Sequence, residues 1–534
     1  MEKIVKFDDW SGGDFGVTPP WQTAHNQWTG LNCIVFENGT IGPRPGLKAV
    51  SMTAMAQDSV IVGMGFAGTP GSNWWTAMTD QLLWTFSPTS STPSWLRADL
   101  DEAGASGDFD AVPTNVEGLE TASNESYLMS DQDGLYRVIH ENGPNTTMTR
   151  IVPYDTVTAY EGQCITKYKN WLVTADTNKI WFSDRDDFGA YTPTSFYEIG
   201  YGPEVAWLGW TKDALLIVMA DSGIWEFRGL PGEKATIRRL YAGGRHPWSF
   251  SPGRMCVLPN DDVWFVPIDR DFPVRWSGSQ IQEMDHLKIF EGDYSGATGD
   301  IDEVRIVPTD EDDECLVLFK DAHVTDGVSK KRALLKRSNT WTRIEWDSTN
   351  SEVAALGTYA ATDRQGLIYI SPTTAVGASG ASLYSYDSNL ERPGFASDGY
   401  ASTGDGTAAH FEAWFETGEW WAPEGQEVTI KNIIVDFVKW NTGYGSFNVM
   451  NFDLYQLSSG ENAQAAALNL QGFSESRGSA VTTLAGKRDR FILGGMSGGG
   501  IPSSGFKLRV HGIVGCAVQS IRIVLDQNPA TPRY

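Results

Sequence analysis

Several short stretches of this 534-residue chain combine residue types that act as nucleophiles or acids in enzymes. Gly495, Ser497 and Gly499 match the G-x-S-x-G pattern, in which a strained turn from a strand into a helix exposes a nucleophilic serine. In this chain the pattern lies in a glycine-rich connection between two predicted strands, so the helix that must follow a nucleophile elbow is missing. The pattern therefore does not predict acyl-transfer chemistry.

Clustered carboxylates are a second possible source of chemistry, because a pair of them catalyses glycoside hydrolysis. Asp184 and Asp187 form one cluster, and Asp269 and Asp271 form another. Asp133 belongs to a short acidic sequence that resembles half of a calcium-binding loop but lacks the later carboxylate ligands. In a chain this acidic, exposed loops and a turn between strands are the simpler interpretation of all three.

The histidines and cysteines lack metal-ligand spacing. The histidines contain no i, i+4 pair and the cysteines no C-x-x-C, which are spacings of common zinc sites. Because the cysteines are odd in number and set mainly in apolar sequence, we expect reduced core residues rather than disulfides. We therefore predict no catalytic, cofactor-binding or metal-binding residue, and no cofactor. The residues concerned are His25, His140, His246, His286, His323, His410, His511, Cys33, Cys164, Cys256, Cys315 and Cys516.

The elements that would carry any site are strands, and they repeat. One short pattern recurs, each time shortly after another apolar run. In order, it consists of a turn residue, an apolar residue, an aromatic residue, any residue and a second apolar residue. From the first to the fifth copy the aromatic residues are 52, 45, 44 and 39 residues apart, which matches roughly 40–50 residues per four-stranded propeller blade. Asp-Gly or Ser-Gly between paired runs favours a hairpin. The aromatic residues are Trp84, Tyr136, Trp181, Trp225, Trp264, Tyr369 and Tyr384.

The pattern predicts an all-β protein with a β-propeller, for which six blades are favoured and seven are possible. After Trp264 the spacing loosens, and residues 315–344 could hold a further blade with the acidic stretch 310–314 as an insertion. One of the last two copies is expected to complete the ring alongside an N-terminal strand. The aromatic residue of each copy is expected to fill the wedge between neighbouring blades.

Composition divides the chain into three parts: an N-terminal arm over 1–50, the propeller over 51–400 and a C-terminal domain over 401–534. Residues 388–408 have loop composition, and the repeated phrase stops there. Beyond them apolar and polar residues alternate, as in Met450 to Leu454 and in Phe506 to Val510. Period two with one buried face predicts an antiparallel β-sandwich.

Charge and hydropathy exclude several classes of protein. The net charge is −26, which argues against a nucleic-acid reader that needs a basic patch for phosphates. The charge is uneven, because residues 470–534 carry eight basic and three acidic residues, which leaves −31 on residues 1–469. We expect this basic end to dock on an acidic neighbour or to be ordinary surface. No apolar run approaches the roughly 18 residues of a membrane span and no signal-peptide core is present, so assembly in a cytoplasm without membrane insertion is predicted.

The opening of the chain resembles a known family. Gly12 and Gly13 precede an Asn-containing apolar strand over 31–36, a tight Asn-Gly turn at Asn38 and then Arg-Pro-Gly at 44–46. This opening resembles the tail nozzle, or tail tubular protein B, family of short-tailed bacteriophages. The Ser-Asp dipeptide that follows the strand at Trp181, and the glycine-rich hairpin before an Arg-bearing last strand, are similar to further stretches of that family.

The resemblance implies a non-enzymatic virion structural protein that forms a ring, a hexamer, below the portal and adaptor. The ring would extend the DNA channel, beside or above tail fibre, spike or needle proteins, in a virion tail assembled in the host cytoplasm. Double-stranded DNA would pass without specific binding, and the acidic stretch 310–314 is a first candidate for lumen-facing carboxylates. The alternatives are a minor tail protein of a long-tailed phage, a glycan-binding or glycan-degrading propeller, and a cellular protein-interaction propeller.

Overall fold

A computed structural model gives the fold of the protein, and it contains strands and connections without a helix in the described part of the chain. No segment there is a helix that could span a membrane. The structure describes residues 2–11, 28–36, 38–44, 47–50, 61, 63–69, 72–78, 83–86, 96–97, 99–100, 119–122, 125–130, 134–139, 147–151, 164–200, 204–220, 223–242, 254–267, 273–283, 304–309, 313–325, 328–337, 340–346, 356–362, 367–372, 383–387, 397–398, 409–410, 413–423, 426–439, 447–457, 468–476, 487–494, 504–514 and 516–529.

The strands follow one another along the whole chain. The first are β1 Glu2–Phe7, β2 Trp28–Leu31, β3 Cys33–Val35, β4 Ile41–Pro43, β5 Leu47–Val50, β6 Gly63–Thr69, β7 Ser72–Met78, β8 Leu83–Phe86, β9 Leu96–Arg97, β10 Asp99–Leu100, β11 Leu119–Ala122, β12 Glu125–Ser130, β13 Gly134–Ile139, β14 Thr147–Ile151, β15 Cys164–Tyr168, β16 Trp171–Asp176, β17 Lys179–Asp184, β18 Asp187–Glu198, β19 Val205–Trp210, β20 Leu215–Met219, β21 Gly223–Arg228 and β22 Thr236–Ala242. The others are β23 Met255–Val257, β24 Val263–Phe265, β25 Val274–Trp276, β26 Ile281–Gln282, β27 Val304–Pro308, β28 Cys315–Thr325, β29 Val328–Arg337, β30 Thr340–Trp346, β31 Leu356–Thr362, β32 Leu367–Pro372, β33 Leu383–Asp387, β34 Ser397–Asp398, β35 Ala409–His410, β36 Trp414–Thr417, β37 Trp420–Trp421, β38 Gln426–Lys439, β39 Phe447–Leu457, β40 Leu468–Ser476, β41 Lys487–Gly494, β42 Gly505–Val514 and β43 Cys516–Pro529.

The chain forms two compact units. Unit 1 comprises residues 1–48, 332–350 and 387–534, and unit 2 comprises 49–331 and 351–386. The predicted arm over 1–50 therefore falls almost wholly in the same unit as the predicted sandwich. The segment 332–350, which was expected to belong to the propeller, is in unit 1 as well.

Unit 2 consists of consecutive small sheets, each formed by strands that are neighbours in sequence. In the described residues seven such sheets are present, and antiparallel pairing links their successive strands. The sixth contains only the start of β29 within this unit, and the last gains the N-terminal strand β5, as the sequence predicted. The strand orders are β6-β7-β8-β9, β10-β14-β13-β12-β11, β15-β16-β17-β18, β19-β20-β21-β22, β23-β24-β25-β26, β27-β28-β29 and β31-β32-β33-β5.

The seven sheets close into a ring, which confirms the predicted β-propeller. The first meander strand of each sheet contacts that of the next, in the order β6, β11, β15, β19, β23, β27 and β31, and β31 contacts β6 again. The favoured blade number of six is thus corrected to seven, the predicted alternative. Tyr369 lies in β32 and Tyr384 in β33, so the last two copies of the phrase occupy one sheet, while β27 and β28 begin a blade of their own.

Adjacent blades pack through one apolar core, which explains the repeated aromatic position. Tyr168 and Phe182 of the third sheet meet Phe227 of the fourth, with Phe182 and Phe227 ring centroids 4.9 Å apart. Trp225, the aromatic residue of the fourth copy, packs on this cluster of the third and fourth sheets, which confirms the predicted packing between blades at that position. Trp264, the aromatic residue of the fifth copy, is buried as well.

Unit 1 contains a β-sandwich, as the alternation predicted. One sheet has the order β3-β4-β43-β38-β41, with β1 also paired to β43, and the other runs β30-β2-β36-β42-β39-β40, with β37 beside β42. Met450, Phe452 and Leu454 of β39 face Val435 and Phe437 of β38 across one buried cluster. The long strands β38 and β43 pair over almost their whole length and form the centre of the first sheet.

The predicted state of the cysteines is confirmed, because all five are buried and none is in a disulfide. Burial raises the pKa of the Cys33 thiol well above its ordinary range. The pKa of the Cys315 thiol is raised by burial and by its contact with Cys256. Such thiols react slowly, because the thiolate is the reactive form.

Candidate functional site

The opening motif over 31–46 forms a buried hydrogen-bonded network in unit 1. Arg44 is fully buried, and its guanidinium donates from Nε to Asn32 Oδ1 (3.0 Å) and from Nη2 to the Glu345 carbonyl (3.0 Å). Asn32 Oδ1 also accepts from the backbone N–H of Glu345 (2.8 Å). We call Asn32, Arg44 and the backbone at 343–345 the arm network.

The backbone of the same residues explains why asparagine is suited to its position. Asn32 has φ 57°, in the left-handed region that asparagine tolerates better than most residues. In this conformation its N–H donates to the Arg343 carbonyl and its carbonyl accepts from the Arg44 N–H, both at 2.9 Å. The arm network therefore joins two strands near the N-terminus to β30, which lies some three hundred residues further along the chain.

A pair of tryptophans fixes the rest of the N-terminal segment. Trp28 Nε1 donates to the Trp10 carbonyl at 2.9 Å, and both indoles are buried in the sandwich core. The Trp10 ring meets Phe415 edge to face, with centroids 5.3 Å apart. Val5 and Phe7 of β1 belong to the same cluster. Residues predicted as an arm thus supply a substantial part of the core of unit 1.

The sheet that contains β1, β43, β38 and β41 has one face on this core and one face turned away from it, the outer face. Asp436 lies at the centre of the outer face, where its carboxylate accepts from Arg490 Nε (2.6 Å), Arg522 Nη2 (2.7 Å) and Ser520 Oγ (3.1 Å). Burial raises the pKa of Asp436, but the hydrogen bonds from Arg490 and Ser520 and the two guanidinium charges outweigh it and lower the pKa overall.

A shallow groove of about 780 Å³ opens on the outer face. Its charged lining consists of Lys6, Asp8, Asp436, Arg490 and Arg522. Each cation contacts a carboxylate of the same groove, since Lys6 pairs with Asp8 and both arginines pair with Asp436. Because the positive charges of the groove are paired with carboxylates of the same groove, it is better suited to hydrogen-bonded contact with another surface than to binding a phosphate.

Asp436→Asn is expected to lower the free energy of unfolding by about 1–2 kcal/mol near pH 7, because the two arginines lose a charged acceptor. Since the folded-state pKa of Asp436 is lowered, its contribution is present above the ordinary carboxyl pKa of about 4 and is lost as the pH falls through the lower folded value. Urea unfolding of both proteins should therefore converge in acid. Asp213→Asn, at an exposed turn, is the control, and an equal difference at every pH would contradict the prediction.

Basic residues of the segment 470–534 pair with acidic residues of the same unit. Lys507 Nζ lies 2.8 Å from Glu416 Oε2, and both side chains are largely buried. His511 Nε2 lies 3.2 Å from Asp453 Oδ2, next to Arg509 in the same strand. Arg490, Lys507 and Arg522 thus pair with carboxylates of their own unit, and docking of the basic end on an acidic neighbour stays a prediction.

The carboxylate cluster at Asp184 and Asp187 belongs to unit 2. Asp184 and Asp187 are exposed at the tight turn between β17 and β18, where Asp184 accepts from Thr192 Oγ1 at 3.2 Å. The G-x-S-x-G stretch, Asp133, Asp269 and Asp271 lie outside the described residues. No group of three or more His, Cys, Asp or Glu side chains suited to a metal ion occurs in the described part of the chain.

Glu314 departs from its predicted environment. The acidic stretch 310–314 is predicted as an insertion with lumen-facing carboxylates, but Glu314 is only 1% exposed. Its backbone carbonyl accepts from the Thr309 N–H at 3.1 Å, which closes the hairpin between β27 and β28. Glu314 is thus part of a blade, while residues 310–312 lie outside the described residues.

No protein-family model matches the chain, and no curated protein does. Among solved structures, the chain is similar to YCF48 bound to a D1 peptide, with 11% identity and a TM-score of 0.40 over 64% of this chain and 95% of that one. It is similar to the computationally designed Ika8 protein, with 12% identity and a TM-score of 0.37 over 63% and 99%. The extracellular domain of BT4673 from B. thetaiotaomicron gives 9% identity and 0.42 over 70% and 44%. At these scores the fold assignment rests on the strand order of the chain itself.

Proposed function

We propose that this chain is a structural protein of a phage virion: a tail nozzle subunit that forms a ring, a hexamer, and extends the channel through which the genome leaves. The proposal places it in the virion tail, assembled in the bacterial cytoplasm, with a portal or adaptor ring above it and fibre, spike or needle proteins beside or below. It has no catalytic step and requires no cofactor.

The observation that carries the proposal is the arm network. Asn32 and Arg44 are the residues that give the opening motif its resemblance to the tail nozzle family, and they contact each other in a fully buried site. A buried arginine held by side-chain and backbone oxygens specifies the path of a chain segment, because any other path leaves the charge unsatisfied. The residues that carry the resemblance therefore also fix the path of the chain, which supports a fold shared with the tail nozzle family.

The charge of the protein is consistent with a channel for DNA. Binding to duplex DNA depends on clustered Lys and Arg that release counterions from phosphates. Residues 1–469 carry a net charge of −31, and the basic residues Arg490, Lys507 and Arg522 are paired with carboxylates. We expect a polyanion to slide past such a surface without being held.

The proposal is tested by the mass of the purified chain in solution and by negative-stain images over a range of protein concentrations. We expect rings with an axial hole, and a mass that corresponds to six copies of the 58.7-kDa chain. A chain that stays monomeric at every concentration would contradict the proposal.

A second measurement concerns DNA. The assembled protein is expected to show no appreciable affinity for duplex DNA at physiological salt, measured by fluorescence anisotropy with a labelled duplex. Affinity that rises steeply as salt is lowered would indicate a phosphate-binding surface, and tight binding at physiological salt would contradict passage without retention.

A further inference from the structure

We propose that neighbouring copies of this chain associate by continuing one β-sheet, so that β1 of one copy pairs antiparallel with β41 of the next. This inference rests on the proposed ring for its closure. The two strands that would pair are the outermost strands of the first sandwich sheet.

The strands β1 and β41 lie at opposite edges of that sheet. One side of β43 is occupied by β38 along nearly its whole length, so β4 and β1, which also pair with β43, must lie on its other side. At the far edge β41 pairs with β38. Among the described residues no strand pairs with the second edge of β1 or of β41. Unpaired edges offer rows of N–H and C=O groups to another strand.

Each edge strand also exposes one large apolar side chain. Ile4 of β1 is 61% exposed and Ile492 of β41 is 54% exposed, whereas most large apolar residues of the described chain are buried. Both isoleucines are on the outer face, because the neighbouring Val5 and Leu493 point into the sandwich core. Ile4 lies near the middle of β1 and Ile492 near the C-terminal end of β41, so the two exposed isoleucines can meet when the strands pair.

Strand direction and register favour pairing between these edges. β1 and β38 run opposite to β43, and β41 runs opposite to β38, so a β1 added beside β41 by the next copy is antiparallel to it. With Ile4 placed opposite Ile492, Val5 falls opposite Phe491 and Asp8 opposite Arg488. Core-facing positions then meet core-facing positions.

Three juxtapositions in this register are unfavourable on residue type alone: Lys3 falls opposite Leu493, Lys6 opposite Arg490 and Phe7 opposite Asp489. The like charges of the second pair are already neutralised within their own copy, Lys6 by Asp8 and Arg490 by Asp436 at 2.6 Å. The charged groove of the outer face thus lies beside the proposed seam. Because each copy offers two different edges, the contact is head to tail, which generates a closed ring if the rotation between copies closes.

Cysteine cross-linking tests the pairing and its register. Directly opposite residues of antiparallel strands have Cα atoms about 4.5–5.5 Å apart, within the range that a disulfide bridges. The double variant Ile4→Cys with Ile492→Cys, treated with oxidised glutathione, should give a ladder of covalent multimers on a non-reducing gel. The native cysteines are buried, so the background should be low. Ile4→Cys alone should give no ladder, and Lys6→Cys with Ile492→Cys, one diagonal position away, should give far less.

Charge substitution at the same positions tests whether the edge contact drives assembly. Ile4→Lys with Ile492→Lys should raise the protein concentration at half assembly by about tenfold or more, because like charges then meet across the seam. Ile4→Lys with Ile492→Glu should restore assembly. Both positions are exposed, so folding is preserved, and Trp210→Lys, at another exposed apolar residue outside the edge strands, is the matched control.

The outcomes separate this inference from the proposed function. Wild-type rings that persist in the double lysine variant, with no ladder from the double cysteine variant, overturn the edge pairing and leave the ring function intact. A covalent dimer from Ile492→Cys alone would show two-fold pairing of β41 with itself and would also overturn it. A wild-type chain that forms neither rings nor cross-links overturns both proposals.

Discussion

Arg44→Ala is expected to lower the free energy of unfolding by about 3–4 kcal/mol, because two buried acceptors lose their donor and a cavity remains. The acceptors are Asn32 Oδ1 and the Glu345 carbonyl, each 3.0 Å from a guanidinium nitrogen. Urea unfolding followed by tryptophan fluorescence measures the change. Trp10 and Trp28 report on this unit, since both lie in its core.

Two further variants distinguish the effect of losing the buried hydrogen bonds of the arm network from the effect of losing a positive charge. Arg44→Lys keeps the charge but presents one nitrogen rather than a planar fork, so it should recover only part of the stability. Arg490→Ala removes an arginine with a 56% exposed side chain in the same unit, and should cost at most about 1 kcal/mol. If Arg44→Ala and Arg490→Ala lowered the free energy of unfolding equally, burial of the arm network would not increase its contribution to stability.

The strand content and the propeller could be predicted because their signals are local. A hairpin of two apolar runs joined by a Gly-containing turn needs only about fifteen residues of sequence to be visible. The runs before the first four copies became second strands, and those copies, at Trp84, Tyr136, Trp181 and Trp225, became third strands. The alternation that places Met450 and Phe506 in the sandwich core is equally local.

The blade number could not be read in this way. The fifth copy, at Trp264, is in the second strand of its sheet, and the copies at Tyr369 and Tyr384 share one sheet. Spacing between copies therefore no longer equals one blade. Closure of the ring by β5 is a contact between residues far apart in sequence, and it was predicted from the propeller fold as a whole rather than from local propensity.

The candidate surface was only partly visible in the sequence. Arg44 and Asn32 stood out through a resemblance, but their partner at Glu345 is 301 and 313 residues away and carries no recognisable signal, because it contributes backbone atoms. Asp436 was missed for a related reason: its arginines come from two other strands. The only indication of Asp436 in the sequence was its place on the polar side of a strand in which apolar and polar residues alternate.

Trp28→Ala is expected to destabilise the protein by about 3–5 kcal/mol, because a fully buried indole leaves a large cavity in the sandwich core. The substitution also removes the indole N–H that donates to the Trp10 carbonyl, so the N-terminal segment loses this hydrogen bond as well as the apolar contacts of the ring. Trp28→Phe keeps much of the apolar contact without the donor and should cost clearly less. Trp210→Ala, at a 45% exposed tryptophan, is the control and should change little. If residues 1–48 were a detachable arm, Trp28→Ala would leave the unfolding of the sandwich unchanged; the shared core requires that transition to shift.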